Sequence, residues 1–254
     1  MRVSAGTGLF AVLRYAAGLA VVGAVVFIAL TLRTVDENQR RSKQYQAWQI
    51  IAAEQGKSAS WVRVMALEDL VGDRVSLASI NLKGANLAGA NLAGAIFTDA
   101  NLQGANLLRA NLAGANLTRA NLSDADLRFA NLAGAVLDSA KLIYAQLKSA
   151  NLVDADLKEA DLGFANFNRA TLVNARLDNA FLTSAKLNYA DLAGAYLDRA
   201  WLGAAEIAEA NLAGAVPTNA AGLDCQILRQ AKQWSEAVRD SNLACGAPLP
   251  EVPR

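Results

Sequence analysis

The sequence predicts an all-β solenoid, a coil of short straight sides, behind an N-terminal membrane-spanning helix and closed by short helical caps. Three observations predict it. A five-residue unit repeats without a break from 75 to 214, giving 28 units. The apolar fraction is 54%, mostly Ala and Leu, with only 6% aromatic residues. An uncharged run of 18 residues, 15–32, stands ahead of the array.

The apolar run comes first. "YAAGLAVVGAVVFIALTL" lies between Arg14 and Arg33. As a helix it spans about 27 Å. Residues 9–13 extend it past the ~30 Å hydrocarbon core, with Arg14 reaching for the interface. A cleaved secretory signal is the alternative. The run is long for one, and no clean Ala-x-Ala site follows it before Arg33. Arg2 and Arg14 precede the run; Arg33, Arg40, Arg41 and Lys43 follow it, which favours a cytoplasmic body. Ala16, Ala20 and Ala24 form a small-residue stripe that allows two such helices to pack as a homo-oligomer.

Residues 35–74 read as a helical connector and N-terminal cap behind the anchor of 1–34. Tyr45, Trp48 and Ala52 share one helical face; Trp61, Val64, Leu67 and Val71 share another. "GKS" at 56–58 separates them, with Ser58 or Ser60 as a helix cap. Trp48 is placed for a headgroup layer. The second helix is placed to cover the end of the next domain.

The array occupies 75–216. Every position divisible by five from Ala85 to Ala220 is Ala. Two residues later comes Leu, with Phe97, Phe167 and Ile207 the exceptions through Leu212. The residue between is most often Asn or Asp. A period of five fits neither a helix nor a regular strand. It fits a coil whose sides turn Ala and Leu inward and Asn outward, with the last two residues at the corner. Gly is frequent at the final place, as in Gly84, Gly89, Gly94, Gly104 and Gly114, where a tight turn favours it.

This A-(D/N)-L-x-x array resembles the pentapeptide-repeat family. The resemblance implies a right-handed quadrilateral β-helix with four units, or 20 residues, per coil. Twenty-eight units then make about seven coils, rising about 34 Å. The segments "QYQAWQIIAAEQG" and "LACGAPLPEVP" are similar to those flanking the array in membrane-anchored bacterial members, which implies an inner-membrane location. Solenoid ends need caps. Pro217 takes a Leu place and is expected to stop the pattern. In 217–254 an amphipathic helix is expected over 226–238, presenting Ile227, Ala231, Trp234 and Val238, followed by a Pro-containing tail.

With 20 residues per coil, residue n stacks on n+20. Opposite charges then meet as Asp99–Arg119, Asp138–Lys158–Asp178, Asp156–Arg176, Lys141–Asp161 and Lys186–Glu206. Such pairs each contribute ~0.2–1 kcal/mol and suffice to explain the charges as stacking aids. Aromatics break the polar pattern. Tyr144 stacks on Phe164 and Phe181 on Trp201, all on one side; Phe129 and Tyr189 lie on the next. Clustered exposed aromatics mark a partner surface, and these six are the candidate one. Another side, carrying Asn91, Asn111, Asn131, Asn151, Thr171, Asp191 and Asn211, is small and flat.

Composition excludes much chemistry. There is no histidine, net charge is +1, and the two cysteines, Cys225 and Cys245, lie in the tail. No nucleophile gathers with a base and an oxyanion donor, so no catalytic, metal or cofactor-binding residue is expected. The cysteines pair if the body is extracytoplasmic and stay thiols otherwise. The expected function is a non-enzymatic scaffold or protein-interaction module, with the lipid bilayer and a protein as partners and no nucleic acid. The alternative is a duplex-mimicking regulator of a DNA enzyme such as gyrase, which the weak mixed charge and the anchor disfavour.

Overall fold

The computed structural model describes residues 6–54, 61–223 and 228–232, without the side chains at 6–26, 28 and 29. Two compact units divide the chain, Met1–Gln49 and Ile50–Arg254.

Helix α1, Gly6–Ala53, has 48 residues and is about 72 Å long. Past Gly23 it holds neither Gly nor Pro, so nothing breaks it at the boundary expected near residue 34. Arg33–Glu37 and Asp36–Arg40 ion pairs, each 3.2 Å, support it at i,i+4 spacing. Among the described residues no helix is long and apolar enough to cross a membrane. Most side chains of the expected span at 15–32, including Ala16, Ala20 and Ala24, lie outside the described residues. The expected face of Tyr45, Trp48 and Ala52 is exposed, whereas Ala47 and Ile51 are buried.

Helix α2, Trp61–Gly72, buries Arg63, Ala66, Leu67 and Leu70, an i, i+3, i+4, i+7 face. The face predicted from Trp61 was turned by a residue or two: Trp61 is exposed, and only Leu67 of the predicted four is buried. The Arg63 guanidinium donates to the Glu54 carbonyl just past the end of α1. The "GKS" segment and both candidate cap serines lie outside the described residues. At the α2 C-terminus the Val75 N–H donates to the Leu70 carbonyl at 2.8 Å, leading directly into the first coil.

The solenoid follows from one unit's hydrogen bonds. In 101–105 the Asn101 N–H donates to the Ile80 carbonyl of the coil before, 2.9 Å, and Leu102 to the Asn121 carbonyl of the coil after, 2.7 Å. Gln103 N–H donates to the Asn101 Oδ1, 3.2 Å. Gly104 N–H reaches the Ser123 carbonyl at 2.8 Å, and Ala105 closes the turn onto Leu102 at 3.0 Å. All five donors are satisfied, which a buried backbone requires. The Leu and second turn residues also bond to the next coil, but only Asn-place residues face each other as parallel pairs, so among the described residues the array holds isolated parallel bridges rather than strands. Each short side is thus a single bridge followed by a turn. Two of five residues turn, leaving too few for a ladder.

From Asn81 to Trp201 every fifth residue bridges to the residue 20 further on. Four units therefore make a coil, and the four sides can be followed by number. We call first the side whose units begin at 81, 101 and onward to 201. The second begins at 86, the third at 91 and the fourth at 96. Leu and Ala fill the interior: Leu87 through Leu187 and Ala105 through Ala185 are almost wholly enclosed. Phe97 and Phe167 occupy Leu places and are equally buried. Asn therefore does more than face outward. Its side-chain oxygen caps the first turn residue, as also at Asn86, Asn116 and Asn166.

The ends differ from expectation. Pro217 does not stop the pattern: Val216 still bridges to Tyr196, and Ala220 N–H closes onto the Pro217 carbonyl at 3.2 Å. Residues 229–232 do not continue a helix. Ala231 N–H closes onto Leu228, and Lys232 N–H donates to the Ala210 carbonyl at 2.7 Å. Leu228 and Ala231 are buried, and Lys232 bridges to Asn211, so this piece copies a repeat unit one residue out of register. Ile227, Trp234, Val238, Cys225 and Cys245 lie outside the described residues.

Candidate interaction surface

Each unit's second turn residue adopts a positive φ, between 54° and 70° across the array. With the closing Ala N–H to Leu carbonyl bond this is the type II pattern, whose third residue favours Gly. Only eight of these places hold Gly: 84, 89, 94, 104, 114, 134, 194 and 214. At Gly84, Gly104 and Gly134 space is not what selects it, because an added Cβ would meet nothing within 4 Å. The constraint is conformational, about 1–2 kcal/mol for a left-handed L-residue.

Four of the six candidate aromatics occupy these places: Phe129 at φ 59°, Tyr144 at 61°, Phe164 at 58° and Tyr189 at 61°. All are about half exposed. Tyr144 and Phe164 stack, with centroids 4.9 Å apart and planes 19° apart. Phe181 and Trp201 instead take the bridging place and bridge each other through the backbone. They are 48% and 56% exposed, so neither is absorbed into packing. The structure thus brings Tyr144, Phe164, Phe181 and Trp201 onto the first side as two columns. Phe129 and Tyr189 stand apart on the second side, each beneath a guanidinium: Arg109 lies 5.8 Å from the Phe129 centroid and Arg169 5.7 Å from that of Tyr189. Tyr196, 49% exposed on the fourth side, was not among the candidates. The available signal was an aromatic at the unit place that Asn or Asp most often fills.

The charge columns hold only in part. Arg119 grips Asp99 with two bonds of 2.7 and 2.8 Å, which lowers the Asp99 pKa and raises that of Arg119. Asp156 meets Arg176 at 3.8 Å. Elsewhere neighbours two apart in one unit win: Arg128–Asp126 at 2.7 Å, Lys158–Asp156 at 3.7 Å and Arg176–Asp178 at 3.7 Å. Among the described residues no ion pair forms for Asp138–Lys158, Lys158–Asp178, Lys141–Asp161 or Lys186–Glu206. Competing partners within a unit are one cause: Lys158 takes Asp156, Asp178 takes Arg176, and the Asp161 carboxylate accepts from the Gly163 N–H. A carboxylate accepting from the N–H two residues on, as Asp126 does from Arg128 at 3.2 Å, already points at that residue's side chain. The Arg128 bond also holds the Asp126 carboxyl below its ordinary range.

The third side is less featureless than its composition suggested. The amides of Asn91, Asn111, Asn131 and Asn151 form a ladder, each donating to the one before at 2.9–3.2 Å. Glu68 of α2 accepts from the Asn91 N–H at 2.7 Å and so meets the ladder at its first rung.

The family model for pentapeptide repeats matches in eight copies over 80–119, 120–158, 150–188 and 165–203. The chain is a member of the pentapeptide-repeat family. That membership carries the right-handed quadrilateral β-helix, in agreement with the 20-residue register. Among solved pentapeptide-repeat structures it is similar to HetL, involved in heterocyst differentiation regulation in the cyanobacterium Nostoc sp. strain PCC 7120. Identity is 28%, covering 65% of this chain and 90% of that one, with TM-score 0.27. It is similar to QnrB1, a plasmid-mediated fluoroquinolone resistance protein, at 18% identity over 66% and 85%, TM-score 0.40. It is also similar to Rfr23 of the cyanobacterium Cyanothece 51142, at 26% over 53% and 91%, TM-score 0.25. No curated protein matches the chain. Among the described residues of this pentapeptide-repeat protein, no group of His, Cys, Asp and Glu is placed to hold a metal ion.

Proposed function

We propose that the pentapeptide-repeat array is a non-enzymatic interaction module. Its first side takes a protein partner through Tyr144, Phe164, Phe181 and Trp201, and the apolar run 15–32 holds it at a membrane. One observation carries the partner surface. Tyr144 and Phe164, stacked, and Phe181 and Trp201, bridged, stand about half exposed as two columns on one side. One aromatic stack returns only about 0.5–1.5 kcal/mol, and exposed clustered aromatics mark a partner surface. The membrane part rests on the uncharged run in the sequence. The duplex-mimic reading needs a continuously acidic surface, whereas the second side carries cations in five successive coils.

The test is proximity labelling from the solenoid in cells, comparing the native chain with a Phe164→Ser/Trp201→Ser variant. The expected result is loss of one or a few protein neighbours, with lipid-associated neighbours retained. An unchanged neighbour set would rule out the first side as the partner site.

A further inference from the structure

The modest net charge hides a polarity across the solenoid. On the second side, five successive coils each present an exposed cation: Arg109, Arg128, Lys148, Arg169 and Lys186. Between residues 86 and 190 that side holds a single acid, Asp126, already paired with Arg128 at 2.7 Å. The next coil ends the patch with Glu206 and Glu209. Glu206 accepts from the Asn188 amide and Glu209 from Lys232, both at 2.7 Å. The opposite, fourth side holds six acids against four bases between 96 and 200. Phe129 and Tyr189 rise from the basic side with guanidinium groups over their rings.

From this we infer that the second side binds an anionic lipid surface. The coils rise about 4.8 Å each, so the cations form a row about 19 Å long on a rigid side. Aromatic rings and basic side chains at one level are what a headgroup layer accepts. The opposite side, where Asp99, Asp156, Asp178 and Asp198 are paired with its own bases, offers no such attraction, so the charge asymmetry fixes which side faces down. Single-stranded nucleic acid fits less well. The two rings are three coils apart, about 14 Å, too sparse to stack successive bases. The contact is distinct from the partner surface proposed on the first side and does not need the apolar run.

Ser149 and Ser139 provide a matched test. Both are half-buried and occupy left-handed turn places, φ 57° and 56°, on the basic and acidic sides respectively. Full-length chains carrying Ser149→Cys or Ser139→Cys are mixed with phosphatidylcholine vesicles, with and without phosphatidylserine. Labelling by a membrane-impermeant maleimide is read by peptide mass at residue 149 or 139 alone. Phosphatidylserine is expected to slow labelling at 149 about fivefold or more and to leave 139 unchanged. Arg109→Gln/Lys148→Gln/Arg169→Gln, or ~1 M salt with its ~3 Å screening length, should remove the effect. Removing three cations should weaken binding about 100-fold. Insertion of the apolar run alone would slow neither site selectively, so its failure or success reads separately. Equal rates at the two sites, no dependence on phosphatidylserine, or protection of 149 only by a single-stranded oligonucleotide would each overturn the inference.

Discussion

Leu147→Ala is expected to destabilise the array by about 2–5 kcal/mol. Leu147 is fully enclosed, stands mid-array, and lies one coil before Phe167 in the same interior column. Little can relax into the gap, because Ala neighbours have no longer side chain to move. The array is quasi-one-dimensional, so each coil is stabilised by its two neighbours. A lesion in the middle weakens the coupling between the coils before it and those after. Thermal unfolding followed by circular dichroism should show a lower midpoint and a broader or split transition. A single sharp transition at the native temperature would mean that the Leu column does not carry the stacking.

The second large effect is a proline placed in the same column. Leu127 N–H donates to the Gln146 carbonyl of the next coil at 2.7 Å. Leu127→Pro removes that donor, strands an acceptor and truncates the core. The expected cost exceeds about 4 kcal/mol, enough to prevent folding of a marginally stable chain. Pro217 shows why position decides. It occupies the same place in the unit with its turn intact, near the end of the regular coils. Pro217→Leu should therefore change the unfolding midpoint by only about 2–4 °C, the shift expected for 1 kcal/mol in a chain of this size.

Much of this was legible in the sequence because the repeat leaves no freedom in register. With Ala at every fifth place and no insertion, the stacking of Tyr144 on Phe164 and of Asp99 under Arg119 could be counted off directly. The turn cap was not legible as such. Asn at the place before Leu reads as a generic outward polar residue until its Oδ1 is seen accepting from the N–H two residues on. That geometry then redirected the charges, which is why Asp126 took Arg128. Helix faces were misjudged because neighbours, not periodicity alone, choose what is covered. Leu67 and Leu70 were available to close the first coil, and Trp61 was left outside. The left-handed strain at Phe129, Tyr144, Phe164 and Tyr189 was visible only as the places where Gly had been replaced.

The central claim is that shape and recognition are separable, with the repeat supplying one and the exposed aromatics the other. Thermal unfolding of Tyr144→Gly/Phe164→Gly/Phe181→Asn/Trp201→Asn, which restores the repeat's own residues, tests it most directly. Two strained turns are relieved at about 1–2 kcal/mol each, against about 0.5–1.5 for the lost stack. The midpoint should therefore hold or rise. A fall of about 10 °C or more, equivalent to several kcal/mol, would show that the aromatics are there to hold the coils together.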